Sequence, residues 1–272
     1  MMTRRLLVSS LGAAGLGGAW VRYLEPHWFE LTHTQVRLAG VRHTRILHIA
    51  DIHTSDGMAA EDLERGLKMG LAQRPDVICL TGDFVSSTTG FDEPGLRRML
   101  RRIADTAPAF AVLGNHDGGR WLARFGGEPS IHKLSDLVQS AGVHLLHNRS
   151  ARFGSMRLVG LADLWAGGFD PHAAFAGVDP AERAIVLCHN PDGKDRLRAM
   201  PWTLMLSGHT HGGQARVPGI RPDWAPVSDK RFVSGLHAWD ERQLFITRGL
   251  GSPKHVRALC RPEVSILEIA SG

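Results

Sequence analysis

Short apolar runs recur along the chain, and each stops at a polar cluster. Residues 45–50 (RILHIA) run into Asp51-Ile52-His53, and residues 76–80 (DVICL) into Thr81-Gly82-Asp83. Residues 109–113 (AFAVL) lead to Gly114-Asn115-His116-Asp117, residues 184–188 (AIVLC) to His189-Asn190, and residues 203–206 (TLML) to Ser207-Gly208-His209-Thr210-His211. Runs of this length, rich in Val, Ile, Leu and Phe, predict buried strands. Between them, leucines 63, 67 and 71 fall four apart and predict a helix over 61–73. Further helices are expected over 95–103, with Arg97, Arg98, Arg101 and Arg102 on the wet side, and over 134–140 and 194–200. Strand–helix alternation predicts an α/β layered fold. After Gly212 the pattern changes to alternating strands at 243–247 and 263–269, joined by Gly/Pro-rich loops that include 217–229, and these predict a second sheet packed on the first.

In open α/β folds ligands sit at the carboxyl ends of strands. All five clusters follow such ends, so they are expected to converge on one site. Imidazole and carboxylate together suit manganese, iron or zinc, whereas magnesium and calcium prefer all-oxygen shells. Residues two apart at a strand end can project to one side, which lets Asp51 with His53, and His209 with His211, reach inward together. Glycines 82, 114 and 208 let the backbone turn sharply beside a ligand. Ten of the 15 histidines lie outside the clusters, so no histidine is a ligand on its identity alone. The order and composition of the five clusters carry the argument.

These motifs resemble those of the calcineurin-like metallophosphoesterases, in family order, from about Thr44 to the C-terminus. The resemblance implies a four-layer αββα sandwich, two mixed β-sheets flanked by helices. It also implies two divalent ions, manganese first and iron or zinc as alternatives: Asp51, His53 and His211 on the first, Asn115, His189 and His209 on the second, and Asp83 bridging. The reaction expected is in-line attack of a metal-bound hydroxide on phosphorus. His116 is then left to protonate the leaving oxygen or to stabilise the phosphoryl charge. The start of the chain, with Gly249-Leu250-Gly251-Ser252 and Arg261-Pro262-Glu263, is similar to the bacterial branch typified by YaeI and YkuE. Two departures from relatives stand out. Phe84-Val85-Ser86 follows Gly82-Asp83 where many relatives carry an acidic residue that orients the catalytic histidine, leaving Asp117 or Asp56 as substitutes. The only tyrosine, Tyr23, precedes the domain, which excludes the purple acid phosphatase branch and its tyrosinate ligand.

Composition adds less. A hydrophobic content of 43% supports a sizeable core. The formal charge of +5 suits an anionic substrate or an anionic membrane surface, or is simply a solvated surface with an excess of arginine. No dense basic stripe with interleaved aromatics is present, so no nucleic-acid partner is expected. Cys79, Cys188 and Cys260 are too widely spaced for a thiolate site, and Cys79 and Cys188, inside apolar runs, read as buried hydrophobes. Residues 1–25 are expected to form a twin-arginine-type signal or N-terminal anchor, with Arg4-Arg5 ahead of the apolar stretch 6–20 and Gly17-Gly18-Ala19 as a cleavage site. An amphipathic N-terminal helix is the plainer alternative. Residues 40–272 are assigned to the phosphoesterase domain. Export or anchoring at the extracytoplasmic face is expected, with a cytoplasmic membrane-peripheral protein as the alternative. In the loop after Asp117, Arg120, Trp121 and Arg124 are candidate substrate contacts, set against an ordinary connecting loop.

The function expected is a phosphodiesterase acting on a phosphodiester or pyrophosphate, lipid-linked or nucleotide-linked. The alternatives are a phosphomonoesterase or protein phosphatase, and a non-catalytic metal-binding envelope protein.

Overall fold

The computed structural model describes residues 17–54 and 58–270. The strands are β1 (Glu30–Arg37), β2 (Thr44–Ile49), β3 (Val77–Thr81), β4 (Ala109–Val112), β5 (His144–Leu145), β6 (Arg149–Phe153), β7 (Met156–Gly160), β8 (Arg183–Leu187), β9 (Leu204–Ser207), β10 (Gly235–Trp239), β11 (Arg242–Ile246) and β12 (Glu263–Ala270). The helices are α1 (Ala60–Leu71), α2 (Glu93–Thr106), α3 (Arg120–Ala123), α4 (His132–Ser140), α5 (Pro171–Ala174) and α6 (Gly193–Arg196).

Two six-stranded mixed sheets form the centre, ordered β1-β12-β2-β3-β4-β5 and β10-β11-β9-β8-β7-β6. Their facing sides bury Ile46, Val77, Val112, Ile185, Leu206 and Phe245 in one apolar layer. The long helices α1, α2 and α4 cover the outer side of the first sheet through Leu63, Leu67, Leu96, Leu100 and Leu134. Over the second sheet the outer layer is thin: four-residue helices and the stacked pair Trp202–Trp239, 5.6 Å between centroids, take the place of long helices. The expected αββα layering is therefore present, with unequal outer layers.

Several expectations need correction. The strand at 263–269 does not join the second sheet; β12 inserts between β1 and β2 of the first, parallel to one and antiparallel to the other. The second sheet begins at Arg149, well before the change of pattern after Gly212. The strand β1 lies ahead of residue 40 and forms an edge of the first sheet. Among the helices, α2 starts at Glu93 because the Asp92 carboxylate accepts from the Gly95 N–H at 2.9 Å and Pro94 fits the first turn. The helix expected at 194–200 ends after Arg196. The N-terminal signal or anchor, up to residue 16, and Asp56 lie outside the described residues.

The parallel strands of both sheets bring their carboxyl ends to one edge of the sandwich. There the loops after β3 and β4 press together, held by one buried carboxylate. Asp117 accepts from the backbone N–H groups of Asp83 at 2.9 Å, Phe84 at 2.8 Å and Gly114 at 2.8 Å. Gly82 has φ +83°, and a Cβ there would stand 2.4 Å from the Gly114 backbone nitrogen. No rotamer change relieves a backbone clash, and alanine at positive φ adds strain of its own. Gly82→Ala is therefore expected to cost about 1–3 kcal/mol, in the range of overpacked sites. Thermal unfolding checks this; an unchanged midpoint would refute it.

Candidate metal centre

Each of the five clusters reaches the same edge, but not by the pleat of a strand. Asp51, His53, Asp83, His209 and His211 all adopt left-handed backbone, with φ between 50° and 71°. Such conformations are uncommon for residues with a Cβ and gather where neighbouring structure over-determines them. Here cross-loop hydrogen bonds do so: Asp51 N–H donates to the Gly82 carbonyl at 2.9 Å and His53 N–H to that of Asp83 at 3.1 Å. The i, i+2 spacing thus works through paired left-handed turns and not, as expected from strand geometry, through the alternation of a pleat. Glycines 114 and 208 serve close approach: a Cβ at Gly114 would lie 2.2 Å from Asp83 Oδ1, and one at Gly208 would lie 2.4 Å from Asp51 Oδ2.

The side chains fall into two groups. Asp51, His53 and His211 form one, and Asp83, His189 and His209 the other; within each, ligand atoms lie within 4.8 Å of one another and all are buried. Asp83 Oδ2 faces both, 3.6 Å from His53 Nε2 and 3.3 Å from His189 Nε2. The Asn115 side-chain oxygen joins the second group, 3.2 Å from His189 Nε2. All seven sequence candidates are therefore brought together. None of the ten other histidines belongs to such a group among the described residues.

The hydrogen bonds test whether these donors fit a cation. The carbonyl of Thr81 can only accept, so His189 Nδ1 carries the proton of their 2.7 Å bond. The Pro226 carbonyl likewise fixes the proton of His209 on Nε2, at 3.0 Å. In the neutral rings, lone pairs on His189 Nε2 and His209 Nδ1 then face each other at 3.2 Å, beside the oxygens of Asp83 and Asn115. Four electron-rich atoms without a proton among them repel; a cation in their midst turns that into attraction, and a backbone carbonyl on the far ring nitrogen is the usual support for a metal-ligating histidine. In the first group, His53 Nε2 and His211 Nε2 approach to 3.1 Å, with Asp51 Oδ1 3.6 Å from the latter. Burial pushes His53 and His209 down to about 3, so both are neutral donors at ordinary pH. Burial lowers His189 as well, but the Asp83 carboxylate outweighs it and holds this imidazole well above its ordinary value. In the absence of cations, a proton does the neutralising there. The donor sets fit two divalent ions.

His116 stands beside the ligands. Its ring lies 5.2 Å from that of His53, its Nδ1–H donates to the Ser86 carbonyl at 2.8 Å, and its backbone N–H donates to Asp83 Oδ1 at 2.9 Å. The carbonyl of Ser86 thus fills the orienting role for which Asp117 and Asp56 were the candidates. Asp117 is committed to backbone N–H groups.

Of the candidate substrate contacts, Trp121 reaches the site, its ring 4.5 Å from His116. Arg120 turns toward Gly167 and lines a side cavity with Phe169 and Met200. Arg124 is exposed, and no contact among the described residues ties it to the ligands.

Three contributors were missed from sequence. Trp165 packs edge-on to His209 at 4.4 Å and lies nearly parallel to Trp121 at 6.2 Å. Buried Asp163 sets that loop, its Oδ1 accepting from the N–H groups of Trp165 and Ala166, each at 2.8 Å. A short apolar run ending in Gly160 and followed by Asp163 was the available signal. Arg257 is fully buried and donates to the carbonyls of His211 at 3.0 Å, Arg248 at 2.9 Å and Gly251. It clamps the C-terminal loop onto the ligand loops, a role that no local pattern announces. Gly251 N–H in turn donates to the Asp51 carbonyl at 2.7 Å.

Comparison with known proteins agrees with this geometry. Phosphodiesterase YaeI of Escherichia coli is 38% identical over 99% of this chain and 100% of its own length. The metallophosphoesterase YkuE of Bacillus subtilis is 28% identical, over 100% of this chain and 98% of its own. The UDP-2,3-diacylglucosamine pyrophosphatase LpxG of Chlamydia muridarum is 27% identical, over 96% and 95%. Residues 44–213, which hold all seven candidate ligands and His116, match the calcineurin-like phosphoesterase family, and the chain belongs to it.

Proposed function

We propose that this phosphoesterase hydrolyses a phosphodiester or pyrophosphate bond with two divalent ions, manganese first, on a lipid-linked or nucleotide-linked substrate at a membrane surface. The observation that carries the reading is the meeting of two buried donor sets at Asp83, with His116 beside them and outside both sets. Asp51, His53 and His211 would hold one ion, Asn115, His189 and His209 the other, and Asp83 both. When bound, the ions supply charge neutralisation at the phosphoryl group and a water activated for in-line attack. His116 keeps its Nδ1 proton on the Ser86 carbonyl, which leaves Nε2 as the nitrogen for proton transfer. From there it delivers a proton to the departing oxygen.

A diester or pyrophosphate carries a second substituent, and the Trp121–Trp165 rim offers it an apolar wall beside His116 and His209. Similarity along the whole chain to a phosphodiesterase and a pyrophosphatase supports the same choice. The carbonyl partner of His116, in place of a carboxylate, weighs against the protein-phosphatase alternative. Location at the membrane is supported by the twin-arginine-like start of the sequence; among the described residues no helix is long and apolar enough to cross a membrane.

With manganese added, a chromogenic diester is expected to turn over faster than the matching monoester, with Asp83→Asn as the blank. The reverse preference would sink the diesterase reading, and no turnover by metal-loaded protein would favour a non-catalytic metal-binding role. His116→Ala should keep both ions by elemental analysis while turnover falls about 10²–10⁴-fold, the usual worth of a general acid. Loss of metal in that variant would instead place His116 among the ligands. Binding of metal should also release protons. The raised His189 holds one at neutral pH in metal-free protein, and an ion must displace it. Apparent affinity should therefore rise with pH through neutrality, with about one proton released at the His189 set. Titration calorimetry in buffers of different ionisation enthalpy reads this number, and a value of zero would contradict it.

A further inference from the structure

We propose that three adjoining surface segments beside the metal centre form a docking face for the interfacial layer of an anionic lipid bilayer. The proposal rests on the membrane reading above for its partner, but not on the phosphoesterase chemistry.

Among the described residues, nine large hydrophobic side chains are exposed, and eight lie on these segments, so the clustering is not the ordinary scatter of a soluble surface. Trp20, Tyr23, Leu24 and Trp28 occupy the first segment, at 41–68% exposure. The others are Val217, Ile220 and Trp224 on the loop after the His211 turn, and Leu259 on the C-terminal loop. Backbone contacts fix the segments side by side. Arg257 N–H donates to the Val21 carbonyl at 3.1 Å, and Arg22 donates to the carbonyls of Lys254 and His255. On the other flank, Arg216 N–H donates to the Ala258 carbonyl at 2.7 Å, and Ala258 N–H to that of Gln214 at 3.1 Å. The eight side chains thus stand on one framework, not on independent loops.

Charge and shape select the partner. Arg216, Arg221, Lys230 and Arg231 flank the apolar tips, against the carboxylates of Asp223 and Asp229, so the loop presents net positive charge. Between them lies a cavity of 410 Å³ lined by Val217, Ile220, Val233 and Leu259 under Arg216 and Lys230. Tryptophan and tyrosine, apolar at one end and polar at the other, favour the headgroup level of a bilayer, and basic side chains favour anionic headgroups. In sequence, the apolar stretch 6–20 behind Arg4-Arg5 leads directly into the first segment. The face borders the site: Trp224 Nε1–H donates to the Gly213 carbonyl at 2.6 Å, two residues from His211. Docking would hold the metal centre against the headgroup layer, where a lipid-linked phosphate lies.

The three native cysteines are buried, so single cysteines introduced at the surface can be labelled selectively. The full chain carrying Ile220→Cys or Leu259→Cys with a polarity-sensitive fluorophore is mixed with phosphatidylcholine vesicles with or without phosphatidylglycerol. Lys68→Cys, on the exposed face of α1, is the reference. Expected is a blue shift at 220 and 259 with phosphatidylglycerol present and none at 68. Ile220→Asp with Leu259→Asp should weaken co-sedimentation at least about tenfold while a soluble diester is still hydrolysed at the parent rate. Co-sedimentation with unshifted probes at 220 and 259 would overturn the docking face and leave the N-terminal stretch as the sole anchor. Equal binding to both vesicle types would overturn the anionic partner. Absence of co-sedimentation would overturn both the face and the membrane reading, and turnover of the soluble diester would stand apart from either result.

Discussion

One buried carboxylate organises this molecule. Asp83 sits between the two sheets, 2% exposed, where an uncompensated negative charge is costly. Its Oδ2 lies against imidazoles of both donor groups, and its Oδ1 accepts from the backbone of the loop that carries His116. The surrounding imidazole charge holds Asp83 well below the ordinary carboxylate range against the effect of burial. A centre of this kind calls for positive charge, and the chain provides two neighbouring places for it. The shared position of Asp83 also keeps the two places close enough to act on one phosphoryl group.

The cost of that arrangement is carried by the backbone. Five of the seven candidate ligands are left-handed, each at a cost on the order of 1–3 kcal/mol, and the flanking loops are packed so tightly that glycine is required at 82, 114 and 208. What offsets it is the grip of the two sheets and of buried polar groups that the chemistry does not use directly. Asp117 staples the loops after β3 and β4. Arg257 staples the C-terminal loop to His211 and to the segment touching Asp51. The carbonyls of Thr81 and Pro226 hold protons on the outer ring nitrogens, so Nε2 of His189 and Nδ1 of His209 face inward.

Pro226 belongs to a stretch that looks like a plain connection. In the fold this stretch has a small core of its own, Ala225, Val227 and Val233, and it supports His209 from outside. The same stretch carries Ile220 and Trp224 toward solvent. The metal centre and the apolar, basic surface therefore share one structural element, and the aromatic rim of Trp121 and Trp165 packs against His116 and His209.

The sequence by itself determined the strand ends and the chemistry placed on them. Asp51, His53, Asp83, Asn115, His189, His209 and His211 were legible because each follows an apolar run, and a run's end is a local property. The α/β layering and the helices over the first sheet were legible for the same reason, through periodicity. The tertiary structure alone decided what depends on partners distant in sequence. Inserting β12 between β1 and β2 is a matter of pairing across more than 200 residues, which no window of sequence contains. The partner of His116 is a backbone carbonyl, and carbonyls are the same in every residue, so side-chain identity points only to carboxylates such as Asp117 and Asp56. Arg257, Asp163 and Trp165 act through burial and orientation, which spacing does not encode. The left-handed turns behind the Asp-x-His and His-x-His motifs follow from loops pressed together between two sheets, and only the folded chain shows them.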